Sequence, residues 1–573
     1  MPPELLREVL QMMPSAQAHA PYGMTEVLPV ADIDLPELER AGSGNGVCVG
    51  RPVPGVTVAI SALDADGNPT GPIVEERSVT GEVCVRAAHT KQRYDRLWVT
   101  ERAASRDRGW HRTGDVGHFD DEGRLWIEGR LVHVIVTADG PVTPVGLERL
   151  TEAIPAVRRA AAVGVGPRGA QQVVMVVELG ASGNGLAPAP LRDAVRLAVK
   201  PTGIEIAAVL TVGVAARRHP AQLQDRPGAG RPVGPAGAGR RTGWRPMRVL
   251  LTGASSLLGS QVVRQLTARG DHVSTLQRHP TDVAAELGLT EHLGDINDAA
   301  LVAEAVEGVD SVIHLAARVG VVGSREQFFQ TNVVGTRTLL AAARAAGVSR
   351  FVFVSSPSVA HTGEALAGNG AEPADPRHAK GQYSRSKALA EVEVLAADAP
   401  GFATIAVRPH LVWGPGDTQL VGRIVDRAKT GRLGLVSGGR ALIDTTYIDN
   451  AADALVAAVD HIDAGHGRAF IVSNGQPRTV EEMIERICAA AGVPGPSLTV
   501  PQPVAWAGGA VAEAAWRLAR RTDDPPMTRF LAGQLGTAHW FDLRETERVL
   551  QWRPRVDLDE GFERLSSYYA THP

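Results

Sequence analysis

Apolar and polar positions after Met247 follow the pattern of a β-strand, a turn, a helix and a second strand. Residues 248–251 form a short, mainly apolar run, as expected for a buried strand. A turn with glycines follows, 261–268 has the pattern of a helix, and 272–276 has the pattern of the next strand. This order predicts an α/β fold, a doubly wound parallel sheet of the Rossmann type that binds a dinucleotide.

A tract rich in glycine, proline and arginine, 217–246, separates this unit from the first part of the chain. It has no hydrophobic periodicity, and its composition is typical of a flexible linker. The pattern therefore predicts an α/β unit at 247–573, a junction at 217–246 and a separate front part, 1–216.

Three side chains in the α/β unit are candidates for proton transfer. Tyr383 and Lys387 are four residues apart, which places both on one face of a helix. The ammonium is expected to lower the phenol pKa, and Ser356 offers a hydroxyl to the same substrate oxygen. Such a set can protonate a carbonyl while hydride arrives from a nicotinamide, or act as a general base in the reverse direction.

A Tyr-x-x-x-Lys pair also occurs on ordinary helix surfaces, so further motifs carry the assignment. They occur in order between 247 and 569 as Asp295-Ile296, His314-Leu315-Ala316-Ala317, Asn332-Val333-Val334-Gly335-Thr336, Ser355-Ser356-Pro357-Ser358-Val359 and Arg408-Pro409-His410-Leu411-Val412-Trp413-Gly414-Pro415-Gly416-Asp417. The series resembles the extended short-chain dehydrogenases/reductases, in their 3β-hydroxysteroid dehydrogenase branch. This resemblance implies an NAD(P)-dependent oxidoreductase with a small C-terminal substrate lobe.

The resemblance also implies a role for individual residues. Tyr383 is the proton donor, Lys387 tunes it and holds the nicotinamide ribose, and Ser356 binds the carbonyl oxygen. Asn332 supports the active-site water or backbone. Together with Tyr383 and Lys387, the implied cofactor-binding residues are Gly253, Ser255, Ser256, Leu257, Leu258, Gly259, Arg278, Asp295, Ile296, Ala316, Ala317 and Pro409.

The glycine turn departs from the family pattern at Ser256, where glycine is usual. Glycine permits positive φ and close approach to pyrophosphate. A serine either weakens cofactor binding or adds a hydroxyl contact, and we expect binding to be retained because the helix N-terminus still offers its amides.

The second strand ends in Gln277-Arg278 and carries no acid at its end. An acid there accepts hydrogen bonds from the ribose diol, whereas an arginine accommodates a 2′-phosphate. Arg278 therefore predicts NADPH as the cofactor, with NADH as the alternative.

Within the branch, 443–451 and 525–531, with His539-Trp540, resemble the reductases of 2-alkyl-3-oxoalkanoates in bacterial olefin biosynthesis. This implies reduction of the 3-keto group of a long-chain β-keto acid. A sterol or another hydroxy-lipid is the alternative substrate. Two further hypotheses are an adenylation and thioester-reductase fusion, for which the junction is too short to hold a carrier segment, and a front part that docks enzymes of the olefin pathway.

The front part carries a second series of motifs, which includes Pro21-Tyr22-Gly23-Met24-Thr25-Glu26, Thr80-Gly81-Glu82, Thr113-Gly114-Asp115 and Gly129-Arg130. The series resembles the later motifs of the adenylate-forming enzymes, the acyl-CoA synthetase class. This implies a truncated α+β region with a remnant of the large domain at 1–130 and a lid-like C-terminal domain at 131–216.

In that class Thr25 and Glu26 lie at the ATP site, Asp115 holds the ribose hydroxyls and Arg130 lies at the hinge. The phosphate loop, most of the acyl-binding domain and the catalytic lysine are absent from this sequence. Backbone amides that cradle phosphates cannot be supplied by what remains. The front part is therefore predicted to be catalytically inactive.

The junction has a second interpretation besides a linker. With a permissive choice of codons, 218–228 read one base forward resembles the lysine-bearing terminus of the β-lactone synthetases of olefin biosynthesis. A frameshift would then account for the tract, and Met247 would be the ancestral start of the reductase.

Composition limits the remaining classes of function. The chain has 573 residues and a net charge of −4, which gives no basic footprint for nucleic acid. Cys48, Cys84 and Cys488 form neither a disulfide framework nor a metal cluster, as expected in a reducing cytoplasm. His314 and His410 are expected to be packing or pocket groups, and no metal site is predicted.

The polar N-terminus and the lack of about 18 consecutive apolar residues predict a cytoplasmic protein. The apolar segment 504–519 is the candidate for peripheral membrane contact. A helix that covers the substrate pocket is preferred, because the segment is short and contains Gly508-Gly509. The oligomeric state, including a homodimer, stays open.

Overall fold

The computed structural model describes residues 3–13, 15–75, 79–91, 98–180, 184–213, 246–320, 323–361, 364–519, 521, 525 and 527–572. The chain divides between Ala236 and Gly237 into two compact units. Apart from Pro246, the predicted junction at 217–246 lies outside the described residues, as does the out-of-frame segment at 218–228.

The front unit is built mainly from antiparallel strands. Its helices are α1 (Pro3–Met12), α2 (Leu35–Ala41), α3 (Trp98–Ala104), α4 (Pro144–Glu152) and α5 (Ala189–Val199). Its strands are β1 (Tyr22–Met24), β2 (Val27–Asp32), β3 (Val47–Pro52), β4 (Val56–Leu63), β5 (Pro69–Val74), β6 (Gly81–Ala87), β7 (His111–Phe119), β8 (Leu125–Arg130), β9 (Ile135–Thr137), β10 (Gly140–Val142), β11 (Val157–Val165), β12 (Gln172–Leu179), β13 (Gly185–Leu186) and β14 (Ile206–Val212).

Two sheets form the body of this unit. One has the strand order β1-β2-β3-β8-β7-β6-β4-β5, and the other has the order β11-β12-β14-β13. Val58, Ile60 and Val83 belong to the core of the first sheet, whereas Met175 and Val209 lie in the core of the second with side chains of α4 and α5. Each sheet therefore has its own hydrophobic core.

The second unit alternates strands and helices. Its strands are β15 (Arg248–Thr252), β16 (His272–Gln277), β17 (Thr290–Leu293), β18 (Ser311–His314), β19 (Arg350–Val354), β20 (Leu366–Asn369), β21 (Ala403–Pro409), β22 (Val412–Trp413), β23 (Gly434–Val436), β24 (Leu442–Ile443), β25 (Thr446–Tyr447), β26 (Arg468–Val472), β27 (Arg478–Thr479), β28 (Leu498–Val500) and β29 (His539–Phe541).

Its helices are α6 (Leu257–Arg269), α7 (Asp282–Leu287), α8 (Ala299–Ala305), α9 (Arg325–Phe329), α10 (Gly335–Ala345), α11 (Gln382–Ala396), α12 (Val421–Lys429), α13 (Ile448–Asp460), α14 (Ile462–Gly465), α15 (Val480–Ala490), α16 (Gln502–Leu518), α17 (Arg529–Gly536), α18 (Arg544–Leu550) and α19 (Leu558–Thr571). A π-helical turn, Gln330–Val334, joins α9 to α10.

The centre of this unit is a seven-stranded parallel sheet in the order β17-β16-β15-β18-β19-β21-β26. Successive side chains of β15 point to opposite faces. Val249 and Leu251 pack with α6 and α13, whereas Leu250 packs on the other face with α8 and α10. β15 is apolar on both faces because helices cover both faces of the sheet. The predicted Rossmann-type sheet is confirmed.

The C-terminal part of the same unit forms a smaller lobe. Its core contains Trp413, whose ring lies 5.4 Å from that of Tyr447 and 4.6 Å from that of Phe562 between centroids. The helix pair α16 and α17 belongs to this lobe. Within the described residues, no helix is both long and apolar enough to cross a bilayer.

Candidate active site

The turn between β15 and α6 has the geometry of a phosphate-binding loop. Gly253 has a φ of +82°, and a Cβ there would lie 2.9 Å from the amide nitrogen of Ala316. A Cβ at Gly259 would lie 2.3 Å from the carbonyl oxygen of Gly253. Only glycine fits both positions, because one requires the left-handed region and both lie against backbone. The turn therefore brings the N-terminus of α6 to the carboxyl end of β15.

Ser256, the departure from the family pattern, caps α6. Its backbone is extended, with φ −81° and ψ 155°, so glycine is not required by conformation. Its Oγ accepts from the amide of Gly259 at 3.0 Å and donates to the carbonyl oxygen of Gly253 at 2.9 Å. A helix start leaves the next amides, those of Leu257 and Leu258, without intrahelical acceptors. The turn thus retains donors for a dinucleotide pyrophosphate.

The remaining predicted cofactor residues follow the ends of neighbouring parallel strands. Arg278 is exposed directly after β16, next to the strand that leads into the glycine turn. Asp295 and Ile296 follow β17, Ala316 and Ala317 follow β18, and Pro409 ends β21. Carboxyl ends of parallel strands lie at one edge of a sheet, where dinucleotides bind in doubly wound folds. The donor set at this edge fits a nicotinamide dinucleotide.

Tyr383 lies in the first turn of α11, and Ser356 follows β19. The Ser356 hydroxyl caps a 3-10 helix, Pro357–Val359, and its oxygen lies 3.0 Å from that of Ser358. Burial raises the pKa of Tyr383 to about 12, while a hydrogen bond from Ser356 acts in the opposite direction. The expected lowering of the phenol pKa is therefore wrong for this structure, because desolvation of the phenolate outweighs the other influences.

Lys387 is buried one turn further along α11. Its Nζ donates to the carbonyl oxygen of Val354 at 2.6 Å and lies 3.8 Å from the centroid of the Phe353 ring. Burial lowers the pKa of Lys387 to about 7, and the nearby Glu391 partly offsets this. Glu391 is itself paired with the buried guanidinium of Arg408. The lysine side chain is thus held on the same helix face as Tyr383, with an ammonium that titrates near neutrality.

Asn332 lies in the π-helical turn and joins two parts of the site. Its Oδ1 accepts from the amide of Arg318 at 2.6 Å, and its Nδ2 donates to the carbonyl oxygen of Arg318 at 3.0 Å. Nδ2 also lies 2.9 Å from Oγ of Ser386, which donates to the carbonyl oxygen of Tyr383. Asn332 therefore ties the backbone of Arg318 to the first turn of α11, which bears Tyr383.

His314, which the sequence predicted to be a packing or pocket group, lies in a buried hydrogen-bond chain. Thr336 donates to the carbonyl oxygen of Asn332, so Nε2 of His314 donates to Thr336 at 2.9 Å. Nδ1 lies 2.7 Å from Oγ1 of Thr252, which accepts from the amide of Ala316 at 3.0 Å. Burial lowers the pKa of His314 to about 3, so the ring is neutral. The chain ties the glycine turn to the turn that bears Asn332.

A cavity of about 1120 Å³ opens beside Ser356 and Tyr383. Its wall is mainly apolar and includes the side of α16 that bears Val504, Ala505, Gly508, Ala512 and Trp516. The predicted pocket-covering helix at 504–519 is consistent with this position. The wall also contains His410 and two residues that sequence reasoning did not select, His361 and His539. No short motif links these histidines, because they meet only through the tertiary fold.

Asp115 and Arg130, two of the predicted nucleotide residues of the front unit, pair with each other. Thr25 and Glu26 form the turn between β1 and β2. Asp115 accepts from the hydroxyl of Tyr22 at 2.6 Å and from the guanidinium of Arg130 at 2.9 Å, so both carboxylate oxygens are engaged. Burial, with the charge of Asp115, raises the pKa of Tyr22. The ribose-binding carboxylate expected in an adenylate-forming enzyme is thus bonded to the protein itself.

Comparison with known proteins matches the two units separately. The profile of the 3-beta hydroxysteroid dehydrogenase/isomerase family matches residues 250–502, and that of AMP-binding enzymes matches residues 1–94.

Relatives of known activity are similar to this chain over about the length of the second unit. A 2-alkyl-3-oxoalkanoate reductase from Stenotrophomonas maltophilia is 40% identical over 329 residues, which cover 56% of this chain and 100% of the relative. The enzyme of that name from Shewanella oneidensis is 37% identical over 329 residues, covering 55% and 85%. A 3 beta-hydroxysteroid dehydrogenase/Delta 5-->4-isomerase from Mycobacterium tuberculosis is 30% identical over 339 residues, covering 56% and 90%.

The second unit contains the parallel sheet, the glycine turn and the Tyr-x-x-x-Lys helix. The same unit is similar to the Stenotrophomonas maltophilia reductase over that relative's whole length. An AMP-binding segment precedes this unit in the same chain. Through its second unit, this chain belongs to the 3-beta hydroxysteroid dehydrogenase/isomerase family of NAD(P)-dependent oxidoreductases.

Proposed function

We propose that residues 247–573 reduce the 3-keto group of a long-chain 2-alkyl-3-oxoalkanoate to the 3-hydroxy acid, with NADPH as the reductant. The observation that carries this proposal is the cavity of about 1120 Å³ whose mainly apolar wall includes Ser356 and Tyr383. Its volume lies slightly above the roughly 300–1,000 Å³ found for small-molecule sites, which suits a substrate with two alkyl chains. The names of the two reductases that match the unit support the substrate class.

The side chains of this unit supply the proton and the oxygen contacts. When bound, the nicotinamide supplies a hydride to the carbonyl carbon. The hydroxyl of Tyr383 gives its proton to the carbonyl oxygen, and the hydroxyl of Ser356 donates a hydrogen bond to the same oxygen. Tyr383 keeps its proton at neutral pH because burial raises its pKa to about 12. Lys387, fixed on the same helix face, holds the nicotinamide ribose.

NADPH is favoured by the end of β16. Gln277 is turned inward, where its amide contacts Glu291 and Thr275, whereas Arg278 is exposed. Glu291 accepts from both the amide and the hydroxyl of Thr281, so this acid is engaged within the fold. The residue available to a 2′-substituent at this strand end is therefore a cation, and a phosphate is its natural partner.

The front unit, with segments 1–130 and 131–216, takes no part in this reaction. Its Asp115 is bonded to Tyr22 and Arg130 within the unit. A ribose contact alone gives no transition-state stabilisation for adenylation. We expect no acid-dependent exchange of pyrophosphate into ATP and no β-lactone formation by the purified chain.

The helix α16 covers the cavity with one side, while Trp506, Val511 and Leu518, which do not line the cavity, are exposed. We assign its primary role to pocket closure. The exposed apolar side chains would allow transient contact with a lipid surface while a long alkyl substrate enters.

A substrate panel tests the proposal. The oxidation direction is convenient, because β-keto acids lose carbon dioxide readily. We expect the chain to oxidise a long-chain 2-alkyl-3-hydroxyalkanoate with NADP and to act poorly on a 3β-hydroxysterol, the alternative suggested by the mycobacterial relative. Faster turnover of the sterol, or no turnover of the hydroxy acid, would contradict the assignment.

A further inference from the structure

Three histidines from separate elements meet in the wall of the cavity. The ring centroids of His361 and His539 are 5.3 Å apart, and those of His410 and His539 are 5.9 Å apart. The three residues are 4%, 7% and 1% exposed, in chain order. All three line the same cavity as Ser356 and Tyr383. We refer to His361, His410 and His539 as the histidine cluster.

The cluster lies beside the catalytic hydroxyls. Ser356 follows β19, and His410 directly follows β21, the parallel neighbour of β19. His361 follows the 3-10 helix that Ser356 caps, and its amide donates to the carbonyl oxygen of Ser358. His539 begins β29. Two of the three histidines therefore come from the segments that leave the sheet at the carbonyl-binding edge.

Each ring of the cluster has a polar atom that the protein leaves unpaired. Nδ1 of His361, Nε2 of His410 and Nδ1 of His539 are buried and have no hydrogen-bond partner among the described residues. Buried polar atoms are usually satisfied, and phenylalanine would fill the same space without this desolvation cost. The three nitrogens themselves have almost no accessible surface. A polar ligand in the cavity would therefore reach the rings through their other nitrogens, of which Nε2 of His361 and Nδ1 of His410 make no hydrogen bond to a described residue.

A metal ion does not fit as that ligand. Within the part of the chain that the structure describes, no group of three or more histidine, cysteine or acidic side chains has the arrangement of a metal site. An anion fits better, because imidazoles donate hydrogen bonds and take up protons beside an opposite charge.

The rings are neutral in the structure. Burial lowers the pKa of His410 to about 3 and that of His539 to about 4, and the other histidines add to this. Burial and Lys380 lower the pKa of His361. Tyr383 lines the same cavity, while the carboxylate of Asp444, which follows β24 beside His539, accepts from Ser473 at 2.6 Å. Arg423, Arg427, Arg432, Arg521 and Asp426 also line the cavity. Its charged lining is therefore mainly positive, and a bound carboxylate would bring negative charge to it.

We propose that the histidine cluster binds the carboxylate of the substrate, with one imidazole taking up a proton as the acid enters. In a β-keto acid only one carbon separates the carboxylate carbon from the carbonyl carbon. The acid group must then lie close to Ser356 and Tyr383, where the cluster is. This inference rests on the proposed function and explains how an apolar cavity selects an acid over a neutral ketone of equal length.

Binding of a non-reacting acid tests the inference without turnover. The probes are 2-hexyldecanoic acid and its methyl ester, titrated calorimetrically into the full chain with NADP present. We expect the acid to bind roughly tenfold or more tightly than the ester, as for a charge-assisted hydrogen bond. Titrations in buffers of different ionisation enthalpy should show uptake of about one proton with the acid and none with the ester.

Two variants and two controls locate the acid site. His410→Gln and His361→Gln should each remove most of the acid preference while ester binding persists, which also shows that the variants are folded. His466→Gln changes an exposed histidine paired with Asp398 and should leave the preference unchanged. Arg432→Gln removes a cation that also lines the cavity.

The outcomes are separable. Equal binding of acid and ester by the unmodified chain would overturn the inference, as would an acid preference that survives both histidine changes, whether or not Arg432→Gln removes it. Acid preference with proton uptake that depends on the histidines would support it, even if the chain failed to oxidise 2-alkyl-3-hydroxyalkanoates. Failure to oxidise 2-alkyl-3-hydroxyalkanoates would refute the proposed reaction, but it would not contradict the carboxylate site.

Discussion

Tyr383 is the side chain that we propose as the proton donor. Replacement by phenylalanine removes the proton donor but keeps the ring, so turnover should fall by about two to four orders of magnitude while NADPH still binds. Tyr568→Phe, a change of the same kind in α19, is the matched control. Steady-state kinetics with the β-keto acid measure both variants, and a nearly unchanged kcat for Tyr383→Phe would refute the assignment.

Arg278 is the residue expected to choose between the two dinucleotides. Arg278→Asp replaces a phosphate partner by a charge that repels phosphate and accepts from a ribose diol, so kcat/KM should move from NADPH towards NADH. Arg344→Asp, at the exposed end of α10, provides the same charge change away from the carboxyl ends of the strands. Equal losses with both cofactors in Arg278→Asp would exclude this role.

The sequence predicts which side chains lie together when they belong to one short motif. It does not predict this when the side chains come from distant segments of the chain. Tyr383 and Lys387 are four positions apart, so helix geometry brings them together. The histidine cluster joins residues from three distant segments. The prediction of a lowered pKa for Tyr383 is wrong for a related reason. The pKa rises because the phenol is buried, and only the tertiary fold creates that burial.

At the scale of single elements, the start of α6 shows how a departure from a family pattern is accommodated. Ser256 caps the helix, so Ser256→Ala should destabilise the unit by about 1 kcal/mol, whereas Ser256→Gly should cost only a few tenths. Urea unfolding measures this difference. In both variants KM for NADPH should stay within about threefold, because backbone amides hold the phosphate. A much tighter NADPH complex in Ser256→Gly would show that the serine obstructs the site.

The helix α11 carries a buried amine, which makes stability depend on pH. The pKa of Lys387 is about 7 in the folded chain and 10.5 ordinarily. Between these values the unfolded chain binds a proton that the folded chain does not, so folding stability rises with pH through this window. The stability advantage of Lys387→Met over the unmodified chain should therefore shrink by roughly 3 kcal/mol from pH 6 to pH 9.

Denaturant unfolding at the two pH values measures this change. Lys429→Met replaces an exposed lysine of α12 and serves as the control, with no comparable difference expected. An equal effect of Lys387→Met at both pH values would mean that the ammonium is not desolvated by the fold.

The strands and helices around the cofactor site follow closely from the sequence. The run that becomes β15 is apolar on both faces because α6 and α13 cover one face and α8 and α10 the other. By contrast, the π-helical turn at Asn332 has no hydrophobic signature, since it depends on hydrogen bonds to Arg318 and Ser386.

At the scale of the whole molecule, the chain combines a unit that is similar to a reductase over that relative's whole length with a segment that matches AMP-binding enzymes. The relative from Stenotrophomonas maltophilia is covered along its whole length by the second unit, so nothing in that comparison requires the front unit for reduction. Asp115, the most suggestive residue of the front unit, is already bonded to Tyr22 and Arg130. Catalysis is therefore expected to belong to residues 247–573 alone.

The most direct test compares NADPH oxidation by the full chain and by residues 247–573, each with a freshly prepared long-chain 2-alkyl-3-oxoalkanoate. We predict NADPH-dependent formation of the 3-hydroxy acid with the same kcat/KM for both proteins. Absence of β-keto acid reduction in the full chain, or loss of the reaction when residues 1–246 are removed, would contradict the account.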